Sequence, residues 1–156
     1  MADAFSPKLK LHHRTPGWLA VGETFHIRIR CDQPQFTEAG LTSPLVGMTL
    51  LDSANLYHAH QRWWCHLFLL MPDHLHTLIS FPRHEAMSRI IGEWKHYHAS
   101  HTKIRWQEGY FDHRIRDPRE FELKAYYIHQ NPVVKNLCDH AEDWPWFYEP
   151  GKPINT

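Results

Sequence analysis

Hydrophobic and polar positions alternate at the start of this chain, run together in its middle and recur at helical spacing around both. Within "WLAVGETFHIRIRC" (18–31), Phe25, Ile27 and Ile29 fall on one face and His26, Arg28 and Arg30 on the other. That alternation predicts a half-buried strand with a basic outer face. "TSPLVGMTLLDSANLYHAHQR" follows, where Ser43 can cap a helix, Pro44 suits its first position, and Val46, Leu50, Ala54 and Tyr57 recur on one side. "WWCHLFLLMP" and "HLHTLISF" are mostly apolar runs of strand length joined through "MPD", which predicts a hairpin. "EAMSRIIGEWKHYHASH" is an amphipathic helix with Met87, Ile90, Ile91, Trp94 and Tyr97 inward, and "GYFDHRIR" a short alternating strand.

The last helix has the clearest start. Asp117 can cap it, Pro118 occupies its first position, and Glu120 stands three residues after the cap, the spacing of a capping box. Phe121, Ala125 and Ile128 form its apolar stripe, and Pro132 is the expected terminator after Gln130 or Asn131. "EDWPWFYEPGKP" reads as an irregular aromatic tail. Strand, helix, strand, strand, helix, strand, helix is a βαββαβ order with one extra helix. It predicts an α+β, ferredoxin-like sandwich with an antiparallel sheet. Helices would cover one face, and the strand carrying "HLH" would be central. No linker or repeat divides the chain, so one domain over 1–156 is expected, with its core at about 18–147.

Composition sharpens this reading. Hydrophobic residues make up 42% and aromatics 13%, including 7 Trp, which excludes a disordered chain. The 3 Cys, odd in number and far apart, argue against a disulfide framework or a cysteine zinc site and fit a reducing compartment. No apolar run nears the ~20 residues that span a bilayer, and the first residues lack the apolar stretch of a signal peptide. The expectation is a cytoplasmic protein with no membrane partner. Lys+Arg and Asp+Glu balance at 17 each, whereas a duplex binder is usually basic. Charge is uneven, with basic residues in excess over 1–30 and acidic ones over 131–156.

Candidate chemistry begins at "LFLLMPDHLHTLISF", where His74 and His76 interrupt buried strand. At i and i+2 they face the same side, ~7 Å apart at Cα, as a metal pair would. Buried histidines also bond simply to backbone, so a third donor has to come from elsewhere. "AYYIHQNP" offers Tyr127 and Asn131, ~40° apart on one helix face beside the apolar stripe. On spacing alone, Tyr127 reads as readily as a core-edge tyrosine, and Asn131 as a helix C-terminal residue before proline. His96, His98 and His101 are expected to face solvent or bond locally, and most tryptophans to be core.

"MPDHLHTLISF" taken together with "WQEGYFDHRIRD" and "YIHQNPV" resembles the single-tyrosine HUH transposases. More narrowly, it resembles the transposases associated with repetitive extragenic palindromes (REP). The resemblance runs from about Trp18 to Trp146. It implies the HUH endonuclease fold, itself a ferredoxin-like variant. His74, His76 and Asn131 would be ligands of a divalent cation, Mg²⁺ or Mn²⁺, and Tyr127 the nucleophile. The chain departs from the family's usual glycine after "NPV-x-x" by carrying Asn136, the next best residue for a left-handed cap.

The implied activity is cutting and joining single-stranded DNA beside a hairpin, through a 5′-phosphotyrosine that conserves the bond energy. Arg28, Arg30, Arg114, Arg116 and Arg119 are candidate phosphate contacts, and exposed tryptophans candidate base-stacking groups. A monomer and a homodimer that donates Tyr127 in trans both fit the sequence. Two other functions compete: a hairpin-binding module of the same fold that does not cut, and a hydrolytic zinc enzyme. The last lacks a base, because strand alternation would turn Asp73 to the opposite face.

Overall fold

The computed structural model describes residues 19–32 and 40–150. Trp18, the basic stretch before it and the end of the aromatic tail lie outside the described residues. Five strands form one antiparallel sheet: β1 (Leu19–Arg30), β2 (Trp64–Leu70), β3 (His74–Pro82), β4 (Phe111–Ile115) and β5 (Phe147–Tyr148), in the order β4-β1-β3-β2-β5. Among the described residues there are three α-helices: α1 (Pro44–Ala59), α2 (Met87–Thr102) and α3 (Pro118–Val134). The architecture is the α+β sandwich expected from the residue pattern, with β3 central. Its fifth strand was not expected. Part of the presumed tail pairs with β2, and Trp144 Nε1 donates to the Leu70 carbonyl at 2.9 Å.

Alternation along β1 sorts two cores. Ile27 and Ile29 join Leu50, Leu51 and Ala54 of α1 and Ile90, Ile91 and Trp94 of α2 on one face of the sheet. On the other, Leu67, Leu69, Met71 and Leu78 pack against Phe121, Ala125 and Ile128 of α3. Helices therefore cover both faces rather than one, because the apolar stripe of α3 matches the second face. This folds α3 over the side that carries His74 and His76. It is what brings the two halves of the sequence motif together.

Helix ends follow local chemistry with three departures. Ser43 holds the cap position of α1 but makes no side-chain cap bond. Asp117 accepts from Glu120 N at 2.8 Å as a cap should, but the Glu120 carboxylate reaches back to Arg116 N, one residue before the cap. Pro132 does not end α3, which continues to Val134. A proline in the last turn forfeits only one backbone bond, and the turn closes behind it. Leu137 N donates to the Pro132 carbonyl and Asn136 N to that of Val133, with Asn136 left-handed at φ 60°. This is the Schellman pattern, with Asn in the usual glycine place.

On α2 the inward stripe includes His98 in place of Tyr97. Position 98 lies one turn beyond Trp94 on the same face, while Tyr97 is rotated outward and stacks on His101.

Candidate active site

The β2–β3 turn is held from two sides. Cys31 N donates to the Asp73 carbonyl at 3.0 Å and Leu41 N to that of Pro72 at 2.9 Å. Gly40, at φ 52°, passes so close to Pro72 that a Cβ there would lie 2.1 Å from its oxygen. The pinned turn delivers His74 and His76 to the α3 face, their ring centroids 4.9 Å apart. Arg28 pairs with His76 and Arg30 with His74 across β1, so one face carries two imidazoles and two guanidiniums.

Each imidazole is oriented. Asp73 Oδ1 accepts from His74 Nδ1 at 2.7 Å, which leaves the lone pair on His74 Nε2. Strand alternation had turned Asp73 away. It belongs to the turn, where its side chain is free to reach back. His76 is bonded at both nitrogens, with Asn131 Nδ2 3.0 Å from Nε2 and His26 Nε2 2.9 Å from Nδ1. With the amide donating, the His76 proton sits on Nδ1 and is given to His26. The chain of bonds then runs Asn131, His76, His26. Both of its ends, Asn131 Oδ1 and His26 Nδ1, are buried without a partner.

Electrostatics keep these rings neutral. Burial, then the charges of His74, His26, Arg28 and Arg30, pushes His76 down to about 2. Burial, then Lys124, Arg28 and His113, takes His26 to about 4. His74 is also lowered, burial outweighing its bond to Asp73. A neutral imidazole is the form that binds a metal.

The donor types suit a cation here. His74 Nε2 and His76 Nε2 offer two lone pairs, and rotating the Asn131 amide would put its orphaned Oδ1 where Nδ2 now meets His76. Among the described residues no group of three or more His, Cys, Asp or Glu could hold a metal, and the amide of Asn131 is the side chain that meets His76 Nε2. The residues fit a divalent ion that completes its shell with water and phosphate oxygen.

His74, His76 and Asn131 line an open cleft of about 460 Å³ with Arg28, Arg30, Met71, Pro72, Asp73, Lys135 and Leu137. Tyr127 stands one turn before Asn131 on α3 and is 65% exposed, outside the cleft lining. The expected arginines separate. Arg28 and Arg30 belong to the cleft, Arg114 and Arg116 line a different open pocket with His113, and Arg119 is exposed on the first turn of α3. Sequence reasoning missed His26, Asp73 and Lys135. His26 was visible as the third member of the basic face of β1, and Lys135 as one turn beyond Asn131. His98 is neither exposed nor locally bonded. It is 0% exposed and meets Ser53 of α1 at 2.6 Å.

No family model matches the chain. A REP-associated tyrosine transposase of Escherichia coli (strain K12) is 26% identical over 84 residues, covering 51% of this chain and 50% of that protein. A putative REP-associated tyrosine transposase of Haemophilus influenzae is 24% identical over 94 residues, covering 49% and 53%. The chain thus spans about half the length of the curated relatives it matches. A solved structure, described as the REP-associated tyrosine transposase bound to a REP hairpin, superposes with a TM-score of 0.68 at 18% identity, over 91% of this chain and 89% of that one. The chain is thus similar in sequence to REP-associated tyrosine transposases over about half its length, and it shares the fold of a solved one over 91% of its residues.

Proposed function

We propose that this chain is a metal-dependent enzyme that nicks and joins single-stranded DNA beside a hairpin. The observation that carries the reading is the convergence of His74, His76 and Asn131 on a cationic cleft, one helical turn from an exposed tyrosine. The relatives' names support the activity, and the solved neighbour's bound hairpin supports the substrate class.

Each residue has a stated task. Arg28, Arg30 and Lys135 draw the phosphate backbone into the cleft and hold it beside the imidazoles. His74 and His76, oriented by Asp73 and His26, would hold a divalent ion together with Asn131. Mg²⁺ or the more imidazole-tolerant Mn²⁺ would supply charge stabilisation there when bound. The Tyr127 hydroxyl attacks phosphorus in line, forming the Oη–P bond while the P–O3′ bond breaks, and its proton passes to solvent. The 3′ oxygen takes up a proton from solvent and leaves as a hydroxyl, and the 5′-phosphotyrosine keeps the strand available for rejoining.

Incubation with a hairpin carrying a 5′ single-stranded extension and Mn²⁺ should yield a protein–DNA adduct on a denaturing gel. Tyr127→Phe should abolish the adduct and leave hairpin binding intact. An adduct that persists in that variant and disappears in Tyr126→Phe would move the nucleophile. Cleavage without any adduct would point to hydrolysis. A second reading, a structured single-strand-binding protein that does not cut, draws on the position of Tyr127 outside the cleft lining. It requires that wild type binds the hairpin and forms no adduct with either ion.

A further inference from the structure

Most tryptophans were expected in the core, with any exposed ones as candidate base-stacking groups; four of those among the described residues are committed to the fold. Trp63 and Trp94 are core, and the indole N–H groups of Trp63, Trp94, Trp106 and Trp144 all bond within the fold. Besides Tyr127, an exposed aromatic ring near the cleft is that of Phe111, the first residue of the edge strand β4, at 41% exposure and just outside the cleft lining.

Its place is set by register. Phe111 pairs with Arg28 on β1, and Arg28 pairs with His76 on β3, so the three form one row across the sheet. Residues in such a row point to the same face, and strands ~4.8 Å apart put Phe111 roughly 10 Å from His76 at Cα. The Arg28 guanidinium lies 4.7 Å over the Phe111 ring, and the His26 ring meets it at 5.6 Å and 70°. A cation on one side of the ring fixes its orientation and leaves the remaining surface to solvent. An edge phenylalanine has no polar tip to solvate, and its burial against a flat apolar surface would be favourable.

We propose that Phe111, backed by Arg28, is a stacking platform for an unpaired nucleobase of the substrate strand. The base would lie on β4 while its backbone runs past Arg28 and Arg30 towards His74 and His76. Every base has a π face, so such a platform grips single strands with little regard to sequence, and a paired duplex offers it no free face. This rests on the reading of single-stranded DNA as substrate.

The test uses the full chain and two probes: a DNA hairpin with a 5′ single-stranded extension containing 2-aminopurine, and the same hairpin without the extension. Binding the extended probe should quench the 2-aminopurine fluorescence. Phe111→Ala and Phe111→Leu should weaken binding of that probe about ten-fold and remove the quenching. Phe111→Tyr should preserve both, and the blunt hairpin should bind all four proteins alike. Melting curves would show that the variants fold, and leucine keeps the apolar contact with Arg28 and His26 in place.

Wild-type affinity and quenching in Phe111→Leu would overturn the platform while leaving the DNA reading intact. Equal loss on the blunt hairpin would assign Phe111 to duplex contact or to the fold and overturn it as well. Wild type that binds neither probe would overturn both readings.

Discussion

The two faces of the sheet each bury histidine, and they do so for different ends. On the α1–α2 face, His98 is sealed at 0% exposure between Trp94, whose ring lies 4.6 Å away, and Ser53. On the α3 face, His26, His74 and His76 are almost as buried, yet His26 and His76 join Asn131 in a chain of bonds, and His74, His76 and Asn131 line an open cleft with two arginines. Burial alone therefore says little about a histidine. What separates the two faces is where the lone pairs lead and which charges surround them.

The sharpest way to break that contrast is to remove a ring from the open face. His76→Ala should lower the rate of adduct formation by at least about a hundred-fold, since an ion's charge stabilisation is worth several kcal/mol, and should weaken Mn²⁺ binding in calorimetry. Unchanged Mn²⁺ affinity would remove the α3 face from metal binding altogether. On the sealed face the expected effect is on stability instead. Trp94→Ala empties the centre of the first core and should cost ~3–5 kcal/mol in urea unfolding. The folded fraction should still form adduct at the wild-type rate per molecule. Loss of rate with stability intact would mean the faces are not independent.

His98 offers a second handle on the sealed face. Burial takes its pKa from an unfolded value of 6.5 to about 4, so the native protein binds fewer protons than the unfolded chain between those limits. Stability should be whole above pH 6.5 and fall as the pH approaches 4. From pH 7 to 4.5 the wild type should lose roughly 2 kcal/mol more than His98→Leu, by the linkage of about 1.4 kcal/mol per pH unit. Parallel pH profiles for the two proteins would show that His98 does not titrate across folding.

Much of this contrast is legible in the sequence. Alternation in β1 separated Ile27 and Ile29 from His26 and Arg28, and the "HLH" pair and the stripe Phe121–Ala125–Ile128 each announced a face. What periodicity could not supply was the side on which α3 lands, since an amphipathic helix fits any complementary apolar surface. The fifth strand was hidden for a similar reason. Two residues, Phe147 and Tyr148, are too few to show a period, and their pairing is imposed by β2. Asp73 was misplaced because the rule for strands was applied to a turn. His98 was misjudged because a polar residue at a helical core position declares itself only when its partner, here Ser53 of another helix, is in view.

The finest expected effect separates the two kinds of buried histidine directly. His26 and His98 are both lowered to about 4 by burial, and each has one ring nitrogen with no partner. By titration and satisfaction they look alike. Their neighbours differ: His98 meets a serine hydroxyl, whereas His26 meets the nitrogen of a proposed ligand. A hydrogen bond to the far nitrogen of a ligating imidazole fixes its tautomer and raises its basicity, and losing one typically costs about 10- to 100-fold in metal affinity. His26→Phe keeps an aromatic ring against Phe111 and deletes the acceptor for His76 Nδ1–H. It should weaken Mn²⁺ binding by about ten-fold or more, and ¹⁵N shifts in the metal-free protein should show the His76 proton redistributed between its nitrogens. His98→Phe should do neither. If both variants bind Mn²⁺ like wild type, His26 is a second sealing histidine, and the special character of the α3 face shrinks to His74, His76 and Asn131.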